Sequence, residues 1–236
     1  MAKKFPPGKC VHCLKYCEHP TRDHVFPQSW YPDTTPLNLE KWKIPSCDDC
    51  NTEYSKTESD LLMRCGICMN PQSPDTRGIP DKAMRAITPE NGKDKGDMDC
   101  RFKARLKILQ SIVPNEMIDY RAVLPYKIPS TAMEDPTGLL VPEKALKRMG
   151  EKFIRGITFV IDGLYIEQDH QIDVYFPHEL DASWIIPVLR QHGKMYDRGP
   201  GISILRAAAP DDPQNGLYYM EIWNTFCMYG FVEPVA

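Results

Sequence analysis

The stretch CVHCLKYCEHPTRDHVFPQSWYPDTTPLNLEKWKIPSCDDCN, residues 10–51, decides how the chain is read. It opens on Cys10-Val-His-Cys13 and closes on Cys47-Asp-Asp-Cys50, followed at once by Asn51. Two thiolates in one tight turn suit a tetrahedral zinc ion at about 2.3 Å, with backbone N–H groups of the turn sharing the negative charge. Cysteines buried for packing have no reason to fall into such pairs, so Cys10, Cys13, Cys47 and Cys50 are expected to hold one structural zinc. The 33 residues between the knuckles exceed finger spacing, and such a loop must contain something of its own. A third pair, Cys65 and Cys68, falls near a helix end, where small apolar residues at this spacing usually pack in the core. The alternatives are that it replaces one of the other pairs or holds a second ion with Cys17 or His19. Cys100 and Cys227 stand alone and are read as core.

Inside the loop lies Arg22-Asp23-His24-Val-Phe-Pro27. Neighbours on an extended segment point to opposite sides, so Asp23 can hold a cation while His24 faces a substrate. If Asn51, anchored by the second knuckle, swings back beside Asp23, their oxygens suit Mg²⁺, which keeps several waters and takes few protein ligands. His24, titrating near neutrality, is the candidate general base for an attacking water.

CxxC, then DHxxP, then CxxCN resembles the HNH, or His-Me finger (ββα-metal), nucleases, in an order similar to that of phage endonuclease VII resolvases. DHVFPQSW also resembles the catalytic strand of the HNH domain in CRISPR effector nucleases. The resemblance covers residues 8–65. It implies that His24 is the general base, that Asp23 and Asn51 bind a catalytic Mg²⁺ or Mn²⁺, and that the four cysteines hold a structural zinc. Asn51 replaces the final histidine of the motif, a variant the family accepts. Where the family has its middle asparagine this chain has Trp42, with Asn38 the nearest asparagine. Lys56 and Glu58 sit where the family helix carries polar residues near the phosphates, although a solvated helix face explains them as well.

Outward from this core, segment 51–64 reads as a short helix after the CDDC turn. Pro, Asp, Gly, Asn and Lys dominate from 71 to 95 without apolar periodicity, so 71–98 is read as a linker between a nuclease-like domain at 1–70 and a mixed α/β domain at 99–236. Phe102, Leu106, Leu109 and Val113 recur at helical spacing opposite Arg101, Arg105 and Lys107. EKALKRMGEKF, from 143, sets Leu146, Met149 and Phe153 against Lys144, Lys147, Arg148 and Lys152. These two basic faces are candidates for contacting a nucleic-acid backbone. ITFVIDGLYI (157–166) reads as a hairpin about Asp-Gly, QIDVYF (171–176) as a strand, 178–193 as a helix bent near Pro187, and ISILRA and LYYMEIWNTFCMYGF as further strands. The expected class is α+β.

The chain is near balance, with 29 basic and 32 acidic side chains. Split at residue 160, it carries 25 basic against 21 acidic residues before and 4 against 11 after. The acidic, aromatic-rich end suits a protein partner, self-association or self-restraint rather than phosphate. No apolar run reaches the roughly 18 residues of a membrane span, and the amino terminus lacks a secretory apolar core, so a cytoplasmic protein that does not engage membranes is expected. The expected activity is metal-dependent hydrolysis of DNA, with RNA not excluded by the site, in the setting of phage defence or a mobile element. The competing expectation is a zinc-stabilised nucleic-acid-binding or adaptor module without catalysis.

Overall fold

The structure is a computed structural model and describes residues 5–118, 138–177, 179 and 182–235. Two short strands, β1 (Gly8–Lys9) and β2 (Tyr16–Cys17), pair antiparallel and flank the first knuckle. A second antiparallel pair follows, β3 (Thr21–His24) with β4 (Lys43–Ser46), in the register Asp23 to Ile44 and His24 to Lys43. β4 runs almost directly into helix α1 (Asp48–Ile67). Cys47 caps this helix, its Sγ accepting the Cys50 N–H at 3.4 Å, while Asp48 and Asp49 sit in the first turn where the helix dipole favours negative charge.

α1 starts three residues earlier and ends three later than the expected 51–64, and it carries the third cysteine pair at its end. Cys65 is buried there and Cys68 caps the helix, its thiol donating to the Arg64 carbonyl at 3.5 Å. Cys65 thus packs in the core as expected, whereas Cys68 is exposed.

The stretch read as a linker contains a helix, α2 (Ile79–Ile87), with Ile79, Ala83 and Ile87 buried at successive turns. Its apolar stripe is only one residue wide and the prolines and charges around it hide the period. α2 packs against α1 at Gly66, where a Cβ would stand 3.0 Å from that of Ala83.

α3 (Lys95–Leu109) forms the first basic helix, but its apolar stripe does not face the core. Only Ile108 of this helix is buried, while Phe102 is 52% and Leu109 53% exposed. A small pair, β5 (Ile112–Val113) with β6 (Gly138–Leu139), follows.

The second basic helix, α4 (Glu143–Asp162), continues through the residues read as the first strand of a hairpin. The β-branched run in ITFVI imitates a strand, yet Phe153, Ile154 and Ile157 are fully buried on one helical face. Asp162-Gly163 is therefore a helix stop rather than a hairpin turn, with Gly163 at φ 71° donating its N–H to the Phe159 carbonyl.

The carboxyl-terminal strands β7 (His170–Tyr175), β8 (Lys194–Asp197), β9 (Ile202–Ala208), β10 (Gly216–Ile222) and β11 (Phe226–Pro234) form one antiparallel sheet in the order β7-β11-β10-β9-β8, with helix α5 (Ile185–His192) between β7 and β8 in the chain. α5 begins later than expected, which leaves Pro187 in its first turn, where a missing N–H costs nothing. Alternation in β10 buries Tyr218, Met220 and Ile222 toward the main core. α4 packs there, while Ile185 and Leu189 of α5 pack with Ala207 and Tyr229 in a smaller cluster.

The chain is mixed α+β, as expected from the sequence. One hydrophobic core joins Val11, Val25, Phe26 and Trp30 of the cysteine-rich region to Phe153, Ile154, Tyr218 and Trp223 of the carboxyl-terminal half. The Trp223 indole N–H donates to the Trp30 carbonyl at 2.7 Å, and a Cβ at Gly156 would lie 2.9 Å from a Val25 methyl. Among the described residues, no helix is long and apolar enough to cross a membrane.

Candidate functional site: a four-cysteine cluster beside a buried ion cluster

The two knuckles meet because β1–β2 presents the first while the junction of β4 with α1 presents the second, and the Val11 N–H bonds to the Pro45 carbonyl at 3.0 Å. The sulfurs of Cys10, Cys13, Cys47 and Cys50 all lie within 4.8 Å of one another, with Cys13 and Cys47 Sγ 3.8 Å apart. A tetrahedron with metal–sulfur bonds of about 2.3 Å has edges of about 3.8 Å, so the four thiols fit zinc. Burial would push the Cys10 thiol up, but backbone N–H groups of Cys13, Cys47 and His12 bring it down to about 7, whereas burial raises the Cys47 and Cys50 thiols. Among the described residues this is the only such cluster of possible metal ligands, and it includes none of Cys17, His19, Cys65 and Cys68.

Along β3 Asp23 is buried and His24 half-buried, and strand alternation directs the two to opposite sides. Asp23 turns inward: Oδ2 meets His12 Nε2 at 3.0 Å and Oδ1 meets Lys152 Nζ at 2.8 Å. Lys152, from the middle of α4, is 0% exposed and also donates to the Glu58 carboxylate of α1. The Tyr54 ring completes the cluster, 4.5 Å from the His12 ring and 5.3 Å from the Lys152 nitrogen. Burial opposes ionisation of Asp23, yet the hydrogen bond from His12 and the charge of Lys152 prevail and hold its carboxyl below the usual range. Glu58 shifts the other way, because burial outweighs the help of Lys152.

This arrangement does not fit the expected Mg²⁺ or Mn²⁺ site. Both Asp23 oxygens are engaged within the protein, and an ammonium stands against one of them. Mg²⁺ requires oxygens at about 2.0–2.1 Å and retains several waters, for which a carboxylate 6% exposed beside a fully buried lysine offers no opening. Asn51 lies in the first turn of α1, its N–H bonded to the Cys47 carbonyl at 3.0 Å, and among the described residues no hydrogen bond joins it to Asp23 or His24.

His24 ends β3 half-buried. Burial first, and then the positive charge of Lys43, lower its pKa, so it is neutral and able to accept a proton at neutral pH. Around it stand three cations that sequence reasoning missed. Lys43 is its cross-strand partner, Lys41 lies two residues before that, and Arg22 shares its side of β3. Among the described residues, none of the three has a carboxylate within ion-pair distance. Crowding shows in Lys41, whose pKa is lowered by burial and then by Lys82 and Lys43. The signal was present in Lys41-Trp-Lys43, but only the hairpin register sets it beside His24.

The basic residues expected to contact nucleic acid are mostly answered within the protein. Arg101 pairs with Asp97 at 3.1 Å, Lys107 with Asp60 at 3.5 Å, Lys147 with Glu143 at 2.7 Å, and Arg148 with Glu53. Arg105 and Lys144 are exposed. Comparison with known proteins adds no relative: no family model, curated protein or solved structure matches the chain.

Proposed function

We propose that the chain hydrolyses phosphodiester bonds in DNA, with His24 as the general base. One observation carries this reading: the β3–β4 hairpin runs into a helix pinned by the cysteine cluster, and its edge presents a neutral histidine among Arg22, Lys41 and Lys43. In the proposed reaction His24 takes the proton of a water as its oxygen attacks phosphorus. The bond from phosphorus to the leaving 3′-oxygen breaks with its electron pair, and that oxygen takes a proton from solvent, leaving a 5′-phosphate and a 3′-hydroxyl end. Lys43 and its neighbours meet the phosphate charge, and an anion there relieves the repulsion among them. Asp23 and Asn51 are given no step in this mechanism.

On supercoiled plasmid, His24→Ala is expected to lower cleavage by about 10²–10⁴-fold while leaving DNA retention intact. Lys43→Ala is expected to weaken DNA binding and flatten its salt dependence, since each phosphate contact contributes about one unit of the log–log slope. Cleavage by His24→Ala at the wild-type rate would refute the assignment of the base. The engagement of both Asp23 oxygens favours one second reading, a zinc-stabilised nucleic-acid-binding module without catalysis. In that case Lys43→Ala alters binding and no variant alters cleavage.

A further inference from the structure

The ammonium of Lys152 is held by carboxylates from two different elements, Asp23 of β3 and Glu58 of α1, and faces the Tyr54 ring, so each of its three N–H bonds has an acceptor or a π face. Its side chain is 0% exposed, and those of Asp23 and Glu58 are 6% and 17% exposed. Glu58 is fixed in turn, because its own carbonyl accepts the Trp30 indole N–H at 3.2 Å. Two carboxylates from separate elements converge on one cation, the kind of anionic donor pair that a divalent ion also uses.

We propose that Lys152 is a built-in substitute for a divalent cation: it pairs with Asp23 and Glu58, denies them to a metal ion, and through Asp23 positions the strand that ends in His24. Lysine delivers its charge from α4, so occupancy of this place is set by folding rather than by the metal content of the solution. A divalent ion enters only by displacing the ammonium, because both would need the same Asp23 and Glu58 oxygens. The same charge that anchors β3 also excludes the ion. This role does not depend on whether His24 cleaves DNA.

The test is a Mn²⁺ titration followed by electron paramagnetic resonance, on zinc-loaded protein whose fold is checked by circular dichroism. Wild type is expected to show no saturable Mn²⁺ uptake to millimolar concentration. Lys152→Gln removes the charge and adds an amide oxygen, and is expected to gain one site at least roughly tenfold tighter than any in wild type. Lys152→Arg keeps the charge and is expected to behave as wild type. Adding Asp23→Asn to Lys152→Gln should abolish the gained site. The proposal is overturned if wild type binds one Mn²⁺ that Asp23→Asn removes, or if Lys152→Gln and Lys152→Arg bind alike. Should Lys152→Gln fail to fold, the wild-type and Lys152→Arg titrations decide alone: saturable uptake lost on Asp23→Asn overturns the proposal, and absence of uptake supports it. Cleavage is not the readout, so failure here leaves the nuclease proposal standing, and failure of that proposal leaves this one.

Discussion

Cys47→Ser is expected to release the bound metal and unfold the cysteine-rich region. Serine is the informative replacement because Cys47 has two roles, as a member of the four-sulfur cluster and as the cap whose Sγ accepts the Cys50 N–H. A serine hydroxyl caps a helix start at least as well, so the substitution removes the metal ligand and keeps the cap. Structural zinc binds with an apparent free energy of about 10–16 kcal/mol in small metal domains. That is comparable to the whole stability of a folded chain, about 5–15 kcal/mol, so losing one of four thiolates is enough to melt the region. Zinc stoichiometry by a colorimetric chelator, read beside far-ultraviolet circular dichroism, checks it. A variant that keeps one zinc and an unchanged melting curve would show that Cys47 is not a required ligand of the metal.

Lys152→Met carries the second large effect. Methionine fills much of the same volume but leaves Asp23 and Glu58 facing each other without a cation inside the protein. Breaking a buried ion pair in this way costs about 3–5 kcal/mol. For a chain of this size that is a fall of roughly 6–20 °C in the melting midpoint.

The pH dependence distinguishes this cause from simple loss of packing. In the wild type Asp23 is held below the ordinary value, so its contribution is present above the unfolded pKa of about 3.9 and fades as pH falls through the folded value. Without Lys152 the two carboxyls rise, and stability is instead lost as pH rises through their folded values. The deficit should be largest near neutrality and shrink as the solution is acidified. A deficit of equal size across that range would mean that only packing had been lost.

The sulfur cluster was legible because it is written locally, in two knuckles whose spacing has few other uses. Strands β7, β9, β10 and β11 were legible because alternation and β-branched residues report on near neighbours, whereas β8 and the pairing of β4 with β3 were not read from the sequence. Lys152 was not. It sits among Lys144, Lys147 and Arg148 in a helix whose charges read as a solvated face, and its partner Asp23 lies 129 residues away. A lysine becomes an interior cation only through what other elements bring to it. α4 was likewise cut short because Ile157, Val160 and Ile161 satisfy a strand pattern and a buried helix face equally well. In α3 the helical period was visible, but period alone does not say whether a stripe meets a core, and Phe102 and Leu109 face outward.

Gly156 brings α4 against Val25, and the Trp223 indole bonds to the Trp30 carbonyl. The cysteine-rich unit is thus keyed into the rest of the molecule by contacts made one residue after the Asp23-His24 pair and within the segment that joins the two strands of its hairpin. Such a unit is a poor candidate for modular exchange between proteins. A recombination event that moved residues 8–67 alone would carry Asp23 and Glu58 away from Lys152 and expose Phe26 and Trp30, so the smallest heritable cassette has to include α4, although composition places it on the far side of a boundary.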